Sequence, residues 1–182
     1  GDVYKRQQKE KQAVTSPNCY PVWLYAKVGD VVYAGSAMAA ALTVATDAAN
    51  GDIPYVSPSN KTLAISAACL KDGTEVLLDQ EQANVVNSFG VATWLNMNGF
   101  RLWGNNTACY PGNTDPKDRW FSVRRFMSWD DNTFIQTYFQ KVDDPLNKRL
   151  IEALVDSENV RGNSFVSRGI CARHEIQYIE LS

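Results

Sequence analysis

The residues that could do chemistry in this 182-residue chain are few, and their spacing does not favour catalysis. Hydrolases, transferases and metalloenzymes need a proton shuttle, an activated nucleophile or a ligand cluster, and the chain has one histidine, His174. Its four cysteines, Cys19, Cys69, Cys109 and Cys171, are widely spaced without a CxxC pair, so we expect reduced, mostly buried thiols. We predict no catalytic residue, no cofactor and no metal site.

Other catalytic patterns are equally weak. Among the acidic pairs, Asp143-Asp144 is explained by helix capping and Glu152 with Asp156 by a solvated helix face. The nucleotide, nucleophile-elbow and zinc-helix motifs GxGxxG, GxxxxGK[ST], GxSxG and HExxH do not occur in the sequence. A hydrolase that uses Cys109 or Cys171 with His174 is a remaining alternative, and it would require a cysteine of depressed pKa.

One stretch concentrates aromatic and amide groups: FRLWGNNTACYPGNTDPKDRW, from Phe100 to Trp120. Such residues can stack against a ligand and hydrogen-bond it, or they can form a rigid connection between buried strands. A carbohydrate-binding module is the corresponding alternative function. It requires partly exposed, coplanar rings among the tryptophans Trp94, Trp103, Trp120 and Trp129.

Composition limits the class of protein. Eighteen basic and twenty acidic residues give a net charge of −2, which offers no long-range attraction for a nucleic-acid backbone. No apolar run approaches the ~20 residues that cross a bilayer. With 45% hydrophobic residues, the chain is long enough to form one domain with a real core. We predict neither a nucleic-acid partner nor a membrane.

Short strands are indicated in three places. Pro21 to Tyr33 contains two extended pieces around a turn at Gly29-Asp30. The run from Thr62 to Leu70 suits a strand or a buried connection. Two apolar runs flank Asn98-Gly99, a dipeptide that favours a tight turn, although the sequence leaves open whether they pair as a hairpin.

Helix signals lie between these strands. An alanine-rich segment has Ser36 as its expected N-cap and Gly51 just beyond its end. A shorter helix is predicted where Asp79 precedes Gln82 at the capping-box spacing, with Gly90 as its stop. Alternating helices and short strands predict an α/β or α+β domain with one small mixed sheet packed by helices.

The clearest helix signal comes later in the chain. Asp144 is the expected cap, Pro145 occupies the first turn and Gly162 is the expected end. Its apolar face comprises Leu146, Leu150, Ile151, Leu154 and Val155. A preceding aromatic stripe with helical spacing, which we interpret as core, comprises Phe126, Phe134 and Tyr138.

The first residues are treated separately. The sequence DVYKRQ, Asp2 to Gln7, resembles the translation of a sequencing-library transposon end, and the polar run from Lys5 to Gln12 lacks apolar periodicity. We expect residues 1–18 to be an artefactual or disordered start, and the natural protein to extend upstream.

Four longer stretches resemble the C-terminal half of contractile phage tail sheath proteins, from about Cys19 to Gly169. They are TDAANGDIPYVSPSN, LDQEQANVVNSFGVATWLN, GFRLWGNNTACYPGNTDPKDRWFSVRRF and TYFQKVDDPLNKRLIEALVDSENVRG. The most specific parts are the Trp103-Gly104 turn, the Ser122–Arg125 run and the Lys141–Arg161 helix, which match in order and spacing.

The resemblance implies a structural role. Sheath subunits stack as hexameric rings around a tail tube, contact the baseplate and contract to drive the tube through the host envelope. It also implies location in the virion tail, with assembly in the bacterial host cytoplasm. Residues 19–182 would form the C-terminal domain of the subunit, whose sheet accepts strands from chain-end arms of neighbouring subunits.

The chain departs from the family pattern at two points that matter here. Asn106 stands where the family usually has arginine in its WGxRT motif, which puts an ion pair from that position in doubt. After Gly169 the sequence diverges and stops early, so we expect the domain to be truncated at its end. An exposed edge strand near Glu175 to Leu181 is the predicted docking ladder. The predicted subunit contacts are Glu175, Ile176, Tyr178 and Glu180.

With this resemblance, we interpret Phe100 to Trp120 as the corner of a wall and not as a binding site. The expected order is a strand that ends at Trp103-Gly104, an ordered surface loop from Cys109 to Asp115, and re-entry to the core at Trp120-Phe121. Burial of each aromatic side chain removes roughly 150–250 Å² from water, which is enough to fix such a corner.

Overall fold

Helices and short strands alternate along the described part of the chain, residues 3–145 and 147–179 of a computed structural model. The chain divides into two units, residues 1–133 and 134–182. The helices are α1 (Val3–Gln12), α2 (Gly35–Ala49), α3 (Gln80–Ser88), α4 (Pro116–Arg119), α5 (Phe121–Tyr138) and α6 (Lys148–Ser167), with a 3-10 turn at Phe139–Lys141. The strands are β1 (Tyr25–Val28), β2 (Val31–Tyr33), β3 (Ala67–Cys69), β4 (Thr93–Asn96) and β5 (Phe100–Trp103). The predicted α+β class is confirmed.

The first sheet has the strand order β2-β1-β3, and both pairings are antiparallel. The predicted turn at Gly29-Asp30 joins β1 to β2, and Gly29 has φ of 60°. A positive φ at the first central residue is the geometry of a type II′ turn, which glycine adopts without steric cost. The two-residue loop pairs Val28 with Val31 and thereby fixes the register of the hairpin.

The second sheet is a hairpin of β4 and β5, which settles the pairing that the sequence left open. Its turn has Asn98 at φ 53° and Gly99 at φ 102°, both in the left-handed region. The expected single mixed sheet is wrong in detail, because the described strands form two antiparallel sheets. Val22 and Ala92, which lie just outside the strands, form an isolated parallel bridge.

The capping box of α3 is confirmed in both of its hydrogen bonds. Asp79 Oδ1 accepts from the Gln82 backbone N–H at 2.8 Å, and Gln82 Oε1 accepts from the Asp79 backbone N–H at 3.0 Å. Gly90 follows the helix with φ of 83°. Local side-chain chemistry is therefore sufficient to place this helix.

The start of α2 differs from the prediction. Ala34 is the N-cap without a side-chain cap bond, so Ser36 lies inside the first turn. Packing explains this start, since a Cβ on Gly35 would lie 1.9 Å from the carbonyl oxygen of Leu24. A close backbone contact, and not a capping hydroxyl, determines where the helix begins.

The bounds of α6 also differ from the prediction. Its N-cap is Asn147, whose Oδ1 accepts from the Leu150 N–H at 3.0 Å, and not Asp144. The helix continues to Ser167, so Gly162 lies in its interior and does not end it. The asparagine takes the cap position because it is the last extended residue before the first helical turn.

The main core lies in the first unit, where small and large apolar residues of α2 and both sheets meet. Trp94 is its largest buried side chain, at 1% exposure. The other buried members of this cluster are Leu24, Ala26, Ala39, Leu42, Ala68, Leu78, Ala92 and Leu102. The aromatic stripe predicted as core is not part of it, because Phe126 and Tyr138 are half-buried and Phe134 is exposed.

The N-terminal stretch is helical where the sequence predicted a frayed start. Lys11, in α1, is buried, and its ammonium donates to the Tyr110 carbonyl oxygen. Burial lowers the pKa of Lys11 from its ordinary value. Polar contacts such as that of Lys11 thus help to hold α1 in place, although its sequence lacks the apolar periodicity of a packed helix. The proposed artefactual origin of this stretch remains a prediction.

A bidentate ion pair joins α5 to the end of α2. Arg125 Nη1 donates to Asp47 Oδ1 at 3.0 Å, and its Nη2 donates to the other carboxylate oxygen. Both side chains are mostly shielded from water. Such a pair stabilises when it is intact and leaves an uncompensated charge when one partner is removed.

We expect Arg125→Ala to lower the free energy of unfolding by about 1–3 kcal/mol, because Asp47 is left partly buried without its partner. Urea denaturation of the variant measures this loss. Lys117→Ala is the control, since Lys117 and Asp115 form a largely exposed pair at 3.6 Å that contributes little. Equal losses in the two variants would contradict the assignment.

Candidate subunit interface

Strand β2 forms the exposed edge of the first sheet. At the opposite side, β3 is covered, because Val76 N–H donates to Ala68 O and Leu70 N–H donates to Thr74 O, both at 2.8 Å. No comparable backbone partner covers β2 within the residues that the structure describes. An uncovered edge presents peptide groups that another strand can pair with.

The pairing register shows which groups of β2 point outward. Lys27 lies opposite Val32, and the Lys27 carbonyl accepts from the Ser66 N–H at 2.8 Å, on the β3 side. The Lys27–Val32 pair is therefore a non-hydrogen-bonded pair of the β1–β2 hairpin. It follows that the N–H and C=O of Val32 point away from β1, toward the open edge.

Apolar side chains accompany this edge. Val31 is 52% exposed and Tyr33 is 43% exposed, although both belong to a β-hairpin with a buried neighbour in Ala26. Long apolar edge strands are normally shortened, charged or covered. Strand β2 is short, but its exposed valine and tyrosine make it suited to cover by a further strand.

The second candidate surface is the C-terminal segment, residues 171–179, which lies along α6 in the second unit. Exposure alternates in its middle, residues 173–177, where His174 and Ile176 are half-buried and Glu175 and Gln177 are exposed. A two-residue period is the pattern of an extended strand with one covered face. The structure assigns no strand here among the described residues, because no second strand pairs with the segment.

An asparagine of α6 makes strand-like hydrogen bonds to this segment. Asn159 Oδ1 accepts from the Ile176 N–H at 2.9 Å, and Asn159 Nδ2 donates to the Ile176 carbonyl at 3.1 Å. One side-chain amide thus satisfies both main-chain groups of one residue, as a neighbouring strand would. Ile176 is held in place by its backbone.

Next to this contact, the His174 side chain packs against Gly162 of α6. A Cβ on Gly162 would lie 2.2 Å from His174 Nδ1. The imidazole also meets the Phe165 ring edge-on, with centroids 5.7 Å apart. Gly162 therefore permits close approach of the segment to α6, which gives a packing reason for a glycine inside this helix.

The predicted contact residues have different environments. Glu175 is exposed and accepts from Arg173 Nε at 3.0 Å and from Gln177 Nε2 at 2.7 Å. The hydrogen bond from Arg173, and to a smaller extent that from Gln177, lowers the pKa of Glu175 from its ordinary value. Tyr178 is exposed and lines a cavity of about 310 Å³ beside α6. Glu180 lies outside the described residues.

Sequence reasoning missed the residues of α6 that hold the segment. Asn159 was part of a predicted helix and Gly162 was its predicted end, so neither was considered a contact residue. The signal that could have found Gly162 is its position inside a run of good helix formers, where glycine costs about 1 kcal/mol relative to alanine. Asn159 carries no comparable signal.

The histidine, cysteine and acidic side chains are the groups considered for catalysis or metal binding, and the structure shows their surroundings. The described residues contain no cluster of three or more histidine, cysteine or acidic side chains able to hold a metal. Cys109 is buried, with its Sγ 3.1 Å from the Thr107 hydroxyl. No helix in the described part of the chain is long and apolar enough to cross a membrane.

The stretch from Phe100 to Trp120 is organised as the predicted corner. Strand β5 ends at Trp103, Gly104 follows with φ of 135°, and Asn106 pairs with Trp120 in an antiparallel bridge. The Tyr20 hydroxyl donates to the Gly104 carbonyl at 2.6 Å, and burial raises the pKa of Tyr20. These contacts tie both ends of the loop to the core.

Asn106, which stands where the resemblance predicts arginine, still pairs with its neighbour Arg119. Its Oδ1 accepts from Arg119 Nε at 3.0 Å, and its Nδ2 donates to the Asn87 carbonyl at 3.3 Å. The Arg119 guanidinium lies 4.2 Å from the ring centres of both Tyr110 and Trp120. The corner is thus closed by an amide and by cation–π contacts.

The four-tryptophan platform expected of a carbohydrate-binding module is incomplete, because one of its rings is buried. Trp94, one of its four required rings, is buried at 1% exposure, and Trp103 Nε1 donates to Asn84 Oδ1 at 2.9 Å. Sugar stacking needs accessible ring faces. The carbohydrate-binding interpretation is therefore wrong for Trp94, which fills the main core.

Comparison with known proteins gives two curated relatives. Over 92 residues the chain is 33% identical to the tail sheath protein of Burkholderia phage BcepMu, a match that covers 50% of this chain and 19% of the relative. Over 110 residues it is 29% identical to the tail sheath protein of Escherichia phage P2, covering 60% and 26%. The match spans at most about a quarter of each relative's length. No known family model matches the chain.

Solved structures share the fold at lower sequence identity. The sheath complex of an extracellular contractile injection system, PVC, in its contracted state has a TM-score of 0.75 at 18% identity, over 92% of this chain and 46% of that one. The anti-feeding prophage gives TM-scores of 0.72 for its baseplate structure and 0.70 for its contracted helical sheath. Both have 18% identity over 85% of this chain, and 40% and 42% of those chains. The resemblance to part of the tail sheath proteins is confirmed.

Proposed function

We propose that this chain is the C-terminal domain of a contractile tail sheath subunit, which works by binding copies of itself and catalyses no reaction. Sequence similarity to two phage tail sheath proteins and the shared fold support a structural subunit of a contractile system. The proposed assembly consists of stacked hexameric rings around a tail tube, anchored at a baseplate. It contracts to drive the tube through the host envelope.

The observation that carries this proposal is the uncovered edge of β2, which has an outward-facing Val32 backbone. Backbone pairing across subunits gives a connection that survives large movements, since each ladder bond depends little on side-chain identity. We propose that β2 accepts a strand from a neighbouring subunit. The predicted contacts Glu175, Ile176, Tyr178 and Glu180 would belong to a donated strand.

Electron microscopy of the full-length protein that carries this sequence tests the function. Expressed alone at high concentration, it should form hollow, ribbed cylinders whose length varies between particles. Monodisperse small particles at every concentration tested would contradict a sheath role. Assembly would place the protein in the virion tail, after folding in the bacterial cytoplasm.

Truncation after Gly169 tests the contribution of the C-terminal segment. We expect the protein that begins at its natural start and is truncated after Gly169 to lose assembly almost completely, because the predicted contact residues are removed. Its melting temperature should fall by only a few degrees, since the segment covers one face of α6 and leaves the core of residues 1–133 intact. A shortened protein that still polymerises would contradict the predicted contact residues.

A further inference from the structure

We propose that Asn159 is a positioning residue for assembly. It holds residues 174–177 as a preformed strand on α6, so that the outer edge of the strand can pair with β2 of a second copy of this chain. The inference rests on the proposed function. It assigns to α6 a role in preparing the donated strand, and it names the side chain responsible.

The spacing of contacts along α6 supports a straight, antiparallel strand. His174 meets Gly162 and Phe165, Ile176 meets Asn159, and Tyr178 lies by Ile151 and Val155. Two strand residues advance about 6.6 Å, and four helix residues advance about 6 Å. Every second residue of the segment therefore meets the next turn of the helix.

Hydrogen-bond direction determines which edge is available. In a strand, the main-chain groups of successive residues point to opposite edges. The Ile176 groups point to Asn159, so those of Glu175 and Gln177 turn away from it. This outer edge matches the requirement of β2, whose Val32 groups point away from its own sheet.

Exposed apolar side chains at both edges favour a second copy as the partner. Ile179 of the segment is 74% exposed, and β2 exposes Val31 and Tyr33. Pairing would cover these groups, and each such cross-strand pair adds to the stability of a ladder. A strand that is already extended also loses less conformational entropy on binding than a flexible arm does.

The test compares Asn159→Ala with Asn163→Ala in the full-length protein. Asn163 is an exposed asparagine on the same helix, which makes it a matched control. Hydrogen exchange of the unassembled protein measures how firmly Asn159 holds the Ile176 main chain, a contact that we call the clamp. The protein concentration at which assembly begins measures the effect on assembly. Asn159→Ala should speed exchange of the Ile176 amide about three- to tenfold, with other core amides unchanged. It should raise the assembly concentration about tenfold. Asn163→Ala should change neither.

Unchanged exchange at Ile176 in Asn159→Ala would overturn the clamp. Faster exchange with an unchanged assembly concentration would overturn the positioning role, as would an equal effect of Asn163→Ala. Failure of the proposed function is recognised separately, because the wild-type protein itself would then fail to assemble. A general loss of stability would appear as faster exchange throughout the core and would also contradict a local role.

Discussion

Proline at position 32 is expected to abolish assembly while the subunit stays folded. The Val32 N–H points to the open edge of the sheet, so proline removes a donor that the β1–β2 hairpin does not use. Sedimentation of the full-length Val32→Pro protein should show no polymer at concentrations where the wild-type protein is fully assembled. Its urea midpoint should fall only slightly.

Two comparison variants separate pairing from folding. Val32→Ala removes the side chain and retains the N–H, so its assembly should be weakened far less than that of Val32→Pro. Tyr33→Pro removes a donor that faces β1, so it should lower the free energy of unfolding by about 3 kcal/mol or more. If Val32→Pro assembled normally, β2 would not be an acceptor edge.

Alanine at position 162 is expected to displace the C-terminal segment, the second large effect. The added Cβ would lie 2.2 Å from His174 Nδ1, a distance at which one group must move. Because Asn159 holds Ile176 only two residues from His174, movement of the imidazole strains that clamp as well. Full-length Gly162→Ala should assemble at least about tenfold less readily than wild type.

The effect of Gly162→Ala on the free energy of unfolding should change sign when His174 is replaced by glycine. Inside a helix, alanine is favoured over glycine by about 1 kcal/mol, a gain that the clash with His174 conceals. The double variant Gly162→Ala, His174→Gly should therefore be more stable to urea than His174→Gly alone. Gly162→Ala in the wild-type background should be destabilising. The same sign in both backgrounds would contradict the packing account.

Features that depend on neighbouring residues could be predicted from the sequence. The turn at Gly29-Asp30 and the capping box of Asp79 with Gln82 are determined within four residues, and both are present. In these cases the same local chemistry that favours the element also determines its position.

Features that depend on distant contacts could not be predicted. Gly35 begins α2 because its backbone lies against the Leu24 carbonyl, and Gly162 lies inside α6 because His174 packs against it. Neither glycine marks the C-terminal end of a helix, although the residue type commonly does so. The pairing of Asn159 with Ile176 joins residues that are 17 positions apart. An asparagine in a helix gives no sign of such a partner.

The central claim, that this chain assembles by main-chain pairing, is tested most directly by hydrogen exchange at Val32 in free and assembled full-length protein. The account predicts that the Val32 amide exchanges rapidly in the free subunit and becomes strongly protected in the assembly. Val31 and Tyr33, whose groups face β1, should be protected in both states. Equal exchange at Val32 before and after assembly would contradict the claim.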